Sequence, residues 1–192
     1  HTHLCTECIL CNNCNDYKRD LSLTDKERAD VLDWISAGAR EGEVPVEETS
    51  EPPTAVTIRT DAEISMAESY TPQVAPDDYR CFIMDWDETE EKYVTGFKVN
   101  PGRPEMVHHV IAFVINPSAV DDFRAMDEAD DGPGYTCFGS PSVGPSSVAG
   151  ATSWRWLGSW TPGGSARLMP ADTGVAIQPG SVIVTQLHYN TL

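Results

Sequence analysis

Apolar positions along this chain follow two periods, and the change from one to the other divides it. Between Thr24 and Gly38, Val31, Leu32 and Ile35 recur at the spacing of one helix face, with Ala29 and Trp34 beside them. Thr24, Asp25, Lys26 and Glu27 have the Ser/Thr-x-x-Glu form of a capping box, and Gly38 is placed to end the helix in a left-handed conformation. The spacing therefore predicts one short amphipathic helix. From Arg40 to Thr54 the chain turns to Glu47, Glu48, Glu51, Pro52 and Pro53, which offer no periodic apolar face and read as an extended linker. Beyond the linker the period becomes two. Val56 and Ile58, Cys81 to Met84, Tyr93 to Val99, Val107 to Ile115, Val175 to Ile177 and Val182 to Tyr189 are short β-branched and aromatic runs separated by Pro, Gly, Asp and Asn. Many short strands with turn-rich connections and no second helical pattern predict a mainly β fold, an antiparallel, jelly-roll-like β-sandwich behind a short helical N-terminal segment. The Ser-, Gly- and Pro-rich stretch from Gly139 to Thr152 reads as a long loop, and no internal repeat is present. Three segments result: a Cys-rich helical piece over 1–42, an acidic Pro-rich linker with a lead-in strand over 43–69, and the sandwich over 70–192.

Composition narrows the possible partners. A length of 192 residues suits one domain with an addition, or two small ones. Lys and Arg number 13 against 30 Asp and Glu, a net charge of −17. Such a surface repels phosphate backbones and anionic headgroups, so nucleic acid is not an expected partner. The longest apolar stretch, Val110 to Ile115, is strand-sized, and no membrane span is expected. The chain begins at His1 without a methionine or a leader, as a processed form or a piece of a longer protein would. Six cysteines without reductase-like βαβ patterning point to an oxidising compartment and an exported, periplasmic or extracellular protein.

Five histidines are present, and three lie inside apolar strand patterns: His108 and His109 between Val107 and Val110, and His188 on the alternate face that carries Val182, Val184 and Gln186. Burying three imidazoles in a small core is costly without partners, and one metal ion partners all three. Nitrogen ligands without thiolate or carboxylate favour copper or zinc over calcium or magnesium, and do not separate the first two. Against this stands the plainer reading, in which a strand histidine is a hydrogen-bonded core residue. Adjacent strand residues also point to opposite faces, so His108 and His109 can share an ion only where the strand ends or bulges. Gln186 and Tyr189 are either orienting partners of the imidazoles or ordinary strand residues. Arg155 and Arg167 read as isolated, solvated charges.

Four elements occur in order: Asp78-Tyr79-Arg80-Cys81-Phe82; Val107-His108-His109-Val110 after a Pro-Gly turn; Tyr135-Thr136-Cys137-Phe138; and Leu187-His188-Tyr189 after Trp160-Thr161-Pro162-Gly163. This set resembles the N-terminal domain of the copper type II, ascorbate-dependent monooxygenases, the group of peptidylglycine α-hydroxylating monooxygenase and dopamine β-monooxygenase, over about Tyr70 to Leu192. The resemblance implies an antiparallel β-sandwich, His108, His109 and His188 as ligands of an electron-supplying copper, a strand distortion at the His pair, and a disulfide between Cys81 and Cys137. It also implies hydroxylation of an aliphatic carbon with O2 and an external reductant such as ascorbate, on a small or peptide substrate that the sequence does not identify. The family places a second copper, held by two His and one Met, in a following domain. No histidine follows His188, so that site is expected downstream of Leu192 or in another chain. A non-catalytic extracellular copper-binding or structural module is the alternative.

Cys5, Cys8, Cys11 and Cys14 form a C-x-x-C-x-x-C-x-x-C run. Four thiolates at this spacing crowd a single ion, so two local disulfides are preferred over a second metal site. The stretch from Tyr17 to Gly42 resembles the last helix of small c-type cytochrome-like domains, but Cys14 is followed by Asn15 and no C-x-x-C-H occurs. His1 and His3 with a free amine are a further, weaker copper-clasping possibility.

Overall fold

A threonine hydroxyl and a glutamate carboxylate fix where the first element begins. In the computed structural model, which describes residues 22–42, 56–142 and 153–192, helix α1 runs Asp25–Ser36. The Glu27 amide donates to Thr24 Oγ1 at 3.2 Å, and the Thr24 amide donates to the Glu27 carboxylate at 2.7 Å. Gly38 ends the helix at φ 90°, and the Ala39 amide donates back to the Trp34 carbonyl at 2.9 Å. The capping box and the glycine stop are both as the pattern predicts. None of the helix residues is buried, and Leu32, Trp34 and Ile35 are exposed. Cys5, Cys8, Cys11, Cys14, His1, His3 and most of the linker lie outside the described residues.

The chain divides into two units, His1–Pro52 and Pro53–Leu192. In the second, β1 (Asp77–Asp85), β4 (Val107–Ile115), β5 (Tyr135–Thr136), β6 (Trp154–Trp160) and β9 (Val182–Asn190) form one antiparallel sheet in the order β5-β1-β9-β4-β6. β2 (Lys92–Val94) pairs with β8 (Val175–Ile177), and β3 (Gly96–Phe97) with β7 (Arg167–Leu168). β9 is the central strand, and every residue from Val182 to Tyr189 is buried. Both of its faces are covered, which is why Val182, Ile183 and Val184 run apolar without alternating and why Thr185, Gln186 and His188 are buried with them.

On one face, Val182 and Val184 pack with Cys81, Phe113, Phe123, Tyr135 and Cys137. On the other, Ile183 packs with Ala112, Val114, Leu157 and Ile177, while Leu187 and Tyr189 pack with Phe82, Val110 and Trp160. The fold is mainly β and antiparallel, as the period-two runs predict. A glycine sets one spacing between the layers: a Cβ on Gly158 would lie 2.0 Å from the Phe97 ring, so only glycine lets β6 pass beneath β3.

Several elements differ from the sequence pattern. A second helix, α2 (Val120–Glu128), follows a short 3-10 turn at Pro117–Ala119. Phe123 is fully buried from it, with Val120 and Met126 packed alongside, and Asp121 and Asp122 sit in its positively polarised first turn. At nine residues it is too short for periodicity to announce, and the packing of Phe123 on the sheet is what stabilises it. Val56 and Ile58 form no strand, the Tyr93–Val99 run divides into β2 and β3, and β5, β6 and β7 are strands without a clear alternating signal. The loop expected over Gly139–Thr152 lies outside the described residues from position 143 onward. Among the described residues no helix is long and apolar enough to cross a membrane.

Candidate metal centre

The start of β4 and the end of β9 pair antiparallel, with Val107 opposite Tyr189, His109 opposite His188 and Val110 opposite Leu187. His108 has no partner in that ladder, because the register shifts between Val107 and His109. One extra residue on one strand is a β-bulge, and it removes the alternation that would otherwise send His108 and His109 to opposite faces. Both rings then lie with His188 above the face that carries Gln186, Val184 and Cys81.

His108 Nδ1 and His109 Nδ1 are 3.3 Å apart, as are His109 Nδ1 and His188 Nδ1. One nitrogen from each ring lies within 4.8 Å of the other two. Three nitrogens bound at ~2.0–2.1 Å to one ion with tetrahedral angles would stand roughly 3.3 Å from one another. Two of the three separations already match that spacing and the whole set lies within 4.8 Å, so the cluster could hold a metal ion. Among the described residues it is the only such group of His, Cys, Asp or Glu.

Burial grades across the three, from exposed His108 through half-buried His109 to buried His188. Burial, reinforced by the neighbouring His188 and His108 rings, holds the His109 imidazole below its usual range, which favours the neutral, lone-pair-bearing form that a metal requires. His188 is fixed from outside the cluster. Its ring stacks on Tyr79 with centroids 4.1 Å apart and planes 11° from parallel, and its Nε2 lies 2.8 Å from Asp77 Oδ1. That hydrogen bond holds the Asp77 carboxyl below the ordinary range against a smaller opposing effect of desolvation, and Asn190 adds a second donor at 3.2 Å. Phe138, which is exposed, meets the Tyr79 ring edge-on at 4.8 Å. A cavity of about 350 Å³, lined in part by Tyr70, Asp77, Asp78, Tyr79, Arg80 and Phe138, opens beside the centre.

The disulfide joins Cys81 to Cys137 with an S–S distance of 2.06 Å, the pairing that the family resemblance implies. Gln186 donates to the Ser140 carbonyl at 3.3 Å and contacts Cys137 Sγ, and Tyr189 packs on the opposite face against Tyr70, so of the two readings of these residues the ordinary structural one holds. Arg155 is not a solvated charge: it donates to Asn116 Oδ1 at 2.9 Å and to the Ala176 carbonyl, tying β6 to β8. Arg167 is exposed, as expected.

Asp77 was not singled out in the sequence, and Tyr79 stood there only within the Asp78–Phe82 motif, with no role at the cluster. Asp77 and Tyr79 share a face of β1, and the pairing of Tyr79 with His188 and of Asp77 with Asn190 brings them to the cluster. Neither the register nor the neighbour is written in the local sequence. No protein-family model and no curated protein matches this chain.

Proposed function

We propose that the unit from Pro53 to Leu192 is the copper-binding domain of a copper-dependent monooxygenase, supplying electrons for O2-dependent hydroxylation of an aliphatic C–H bond. The observation that carries this reading is the convergence of the His108, His109 and His188 nitrogens at a β-bulge, to within 4.8 Å of one another. The donor set fits copper and zinc alike, three imidazoles with no thiolate and a carboxylate that bonds the far side of one ring rather than joining the ligands, and it is the family resemblance that selects copper. Copper bound there would cycle between Cu(I) and Cu(II) and hand on one electron at a time. The ordered motifs shared with the ascorbate-dependent monooxygenases supply the reaction. One atom of O2 enters the C–H bond and the other leaves as water, and an external reductant such as ascorbate provides two electrons while two protons are taken up.

The chain's own residues hold and shield the ion. His188 is buried with its ring stacked on its cross-strand neighbour Tyr79, His109 is half-buried, and His108 faces solvent, the side from which a reductant would approach. Besides His108, His109 and His188, the sequence has only His1 and His3. Hydroxylation by this reading therefore needs a second copper domain, in a continuation of the chain or in a partner. The disulfide supports an exported protein. A non-catalytic copper-binding module is the second reading, favoured by the single metal-competent cluster among the described residues.

Copper stoichiometry tests the site. H108A and H188A are expected to lose bound copper while circular dichroism shows an intact sandwich, and undiminished copper in both variants would refute the assignment. Oxygen consumption with ascorbate, measured with the second copper domain supplied, separates the two readings, because a binding module consumes none above background.

A further inference from the structure

A neutral imidazole carries one N–H and one lone pair, so whichever nitrogen donates a hydrogen bond leaves the other to bind a metal. In His188 that choice has a visible cause. Nε2 faces Asp77 Oδ1 at 2.8 Å, and an ionised carboxylate can only accept. The proton therefore sits on Nε2, and the lone pair sits on Nδ1, which faces His109 Nδ1 at 3.3 Å. The ring has no easy alternative. It is 6 % exposed, and the parallel Tyr79 ring holds its plane. A half-turn about its Cβ–Cγ bond would place a carbon where the ligating nitrogen now stands. Asp77 is held in turn by Asn190, its opposite partner in the β1–β9 ladder, through an Nδ2 to Oδ1 contact of 3.2 Å. Among the described residues no carboxylate bonds His108 or His109, so His188 alone is anchored in this way.

We propose that Asp77 is a positioning residue of the metal centre: by accepting the Nε2–H of His188 it commits Nδ1 to the ion and makes that ring the fixed ligand of the three. The assignment rests on the metal reading above for its consequence, but its first step, the choice of tautomer, holds in the metal-free protein. A carboxylate behind an imidazole also makes the ring a more basic ligand, and loss of such a partner typically weakens metal binding 10- to 100-fold. More basic nitrogen favours the higher-charged ion, so Asp77 should stabilise Cu(II) relative to Cu(I).

The experiment uses the full chain and two substitutions, D77A and D77N. Nitrogen-15 NMR of the metal-free protein is expected to show His188 protonated at Nε2 in the wild type and as a mixture of tautomers in D77A. Competition with chelators of known affinity is expected to show Cu(II) binding weakened roughly 10- to 100-fold in D77A. In D77N, whose amide oxygen still accepts but carries no charge, the tautomer should persist, while the ratio of Cu(II) to Cu(I) affinity falls. D77N also serves as the check that a loss in D77A is not a folding defect. Wild-type tautomer and wild-type copper affinity in D77A overturn the proposal while leaving the metal site standing. A wild-type protein that binds no copper overturns the metal reading and the ligand role with it, and the NMR result then reports on the hydrogen bond alone.

Discussion

Arg80 is 6 % exposed, and all five of its N–H groups are paired. Nε donates to the Pro133 carbonyl, Nη1 to Asp130 and Thr136, and Nη2 to the Asp131 and Gly134 carbonyls, at 2.7–3.1 Å. The guanidinium also lies 5.3 Å from the centre of the Tyr70 ring. One side chain thus fixes the turn that delivers Tyr135 and Cys137 to the core, and the turn closes tightly. Gly134 adopts φ 69°, and a Cβ there would lie 2.4 Å from the Cys81 carbonyl oxygen. Replacing Arg80 with Met keeps the apolar stem but strands three carbonyls and a partly buried carboxylate. R80M is expected to lose about 3 kcal/mol or more of stability, and R80K most of the same amount, because an ammonium cannot reproduce the planar fork. Urea unfolding midpoints measure this, and an R80M midpoint equal to the wild type would show that the fork contributes nothing net.

At the scale of elements, the strand patterns were legible wherever β-branched residues ran long enough, as in β4 and β9, and the helix start was legible in Thr24 and Glu27. α2 was not, since its stability comes from Phe123 entering a core that no local window contains. The His108–His109 pair was legible as chemistry but not as geometry: alternation alone forbids a shared ligand, and the bulge that permits it is a property of how β4 pairs with β9. The disulfide spans a sequence separation of 56 residues and lies in the same core cluster as Phe123 and Tyr135. Closing a loop of that length restricts the unfolded chain by about 4 kcal/mol in the chain-entropy picture. A double variant, C81A with C137A, is expected to lose stability of that order, read as a lowered thermal midpoint against the oxidised wild type. A matching loss on adding reductant to the wild type would tie the effect to the bond rather than to the lost sulfurs.

For the whole molecule, the division at Pro52 and Pro53 has a practical consequence. All three histidines, Asp77, Tyr79 and the disulfide belong to the second unit, whose core clusters draw only on residues from Met66 onward. A protein beginning at Pro53 is expected to fold, to form the disulfide, and to bind copper with the full chain's stoichiometry. If copper binds only the folded state, copper at a hundred times its dissociation constant should stabilise this unit by ~2.7 kcal/mol, seen as a raised unfolding temperature. A midpoint that copper leaves unmoved would count against a preformed site.

The sequence by itself determined where the chain changes from helical to strand period, which segments are apolar enough to be central, how the helix is capped, and that three imidazoles must be accommodated among strands. These are local matters, set by side-chain type and spacing along a few residues. Only the tertiary structure decided that His108 and His109 share a face, that Tyr79 and Asp77 meet His188, and that Arg80 closes the turn around Gly134. Each of those depends on the register between strands far apart in sequence, and register is fixed by the whole core settling at once, which no short stretch of chain encodes.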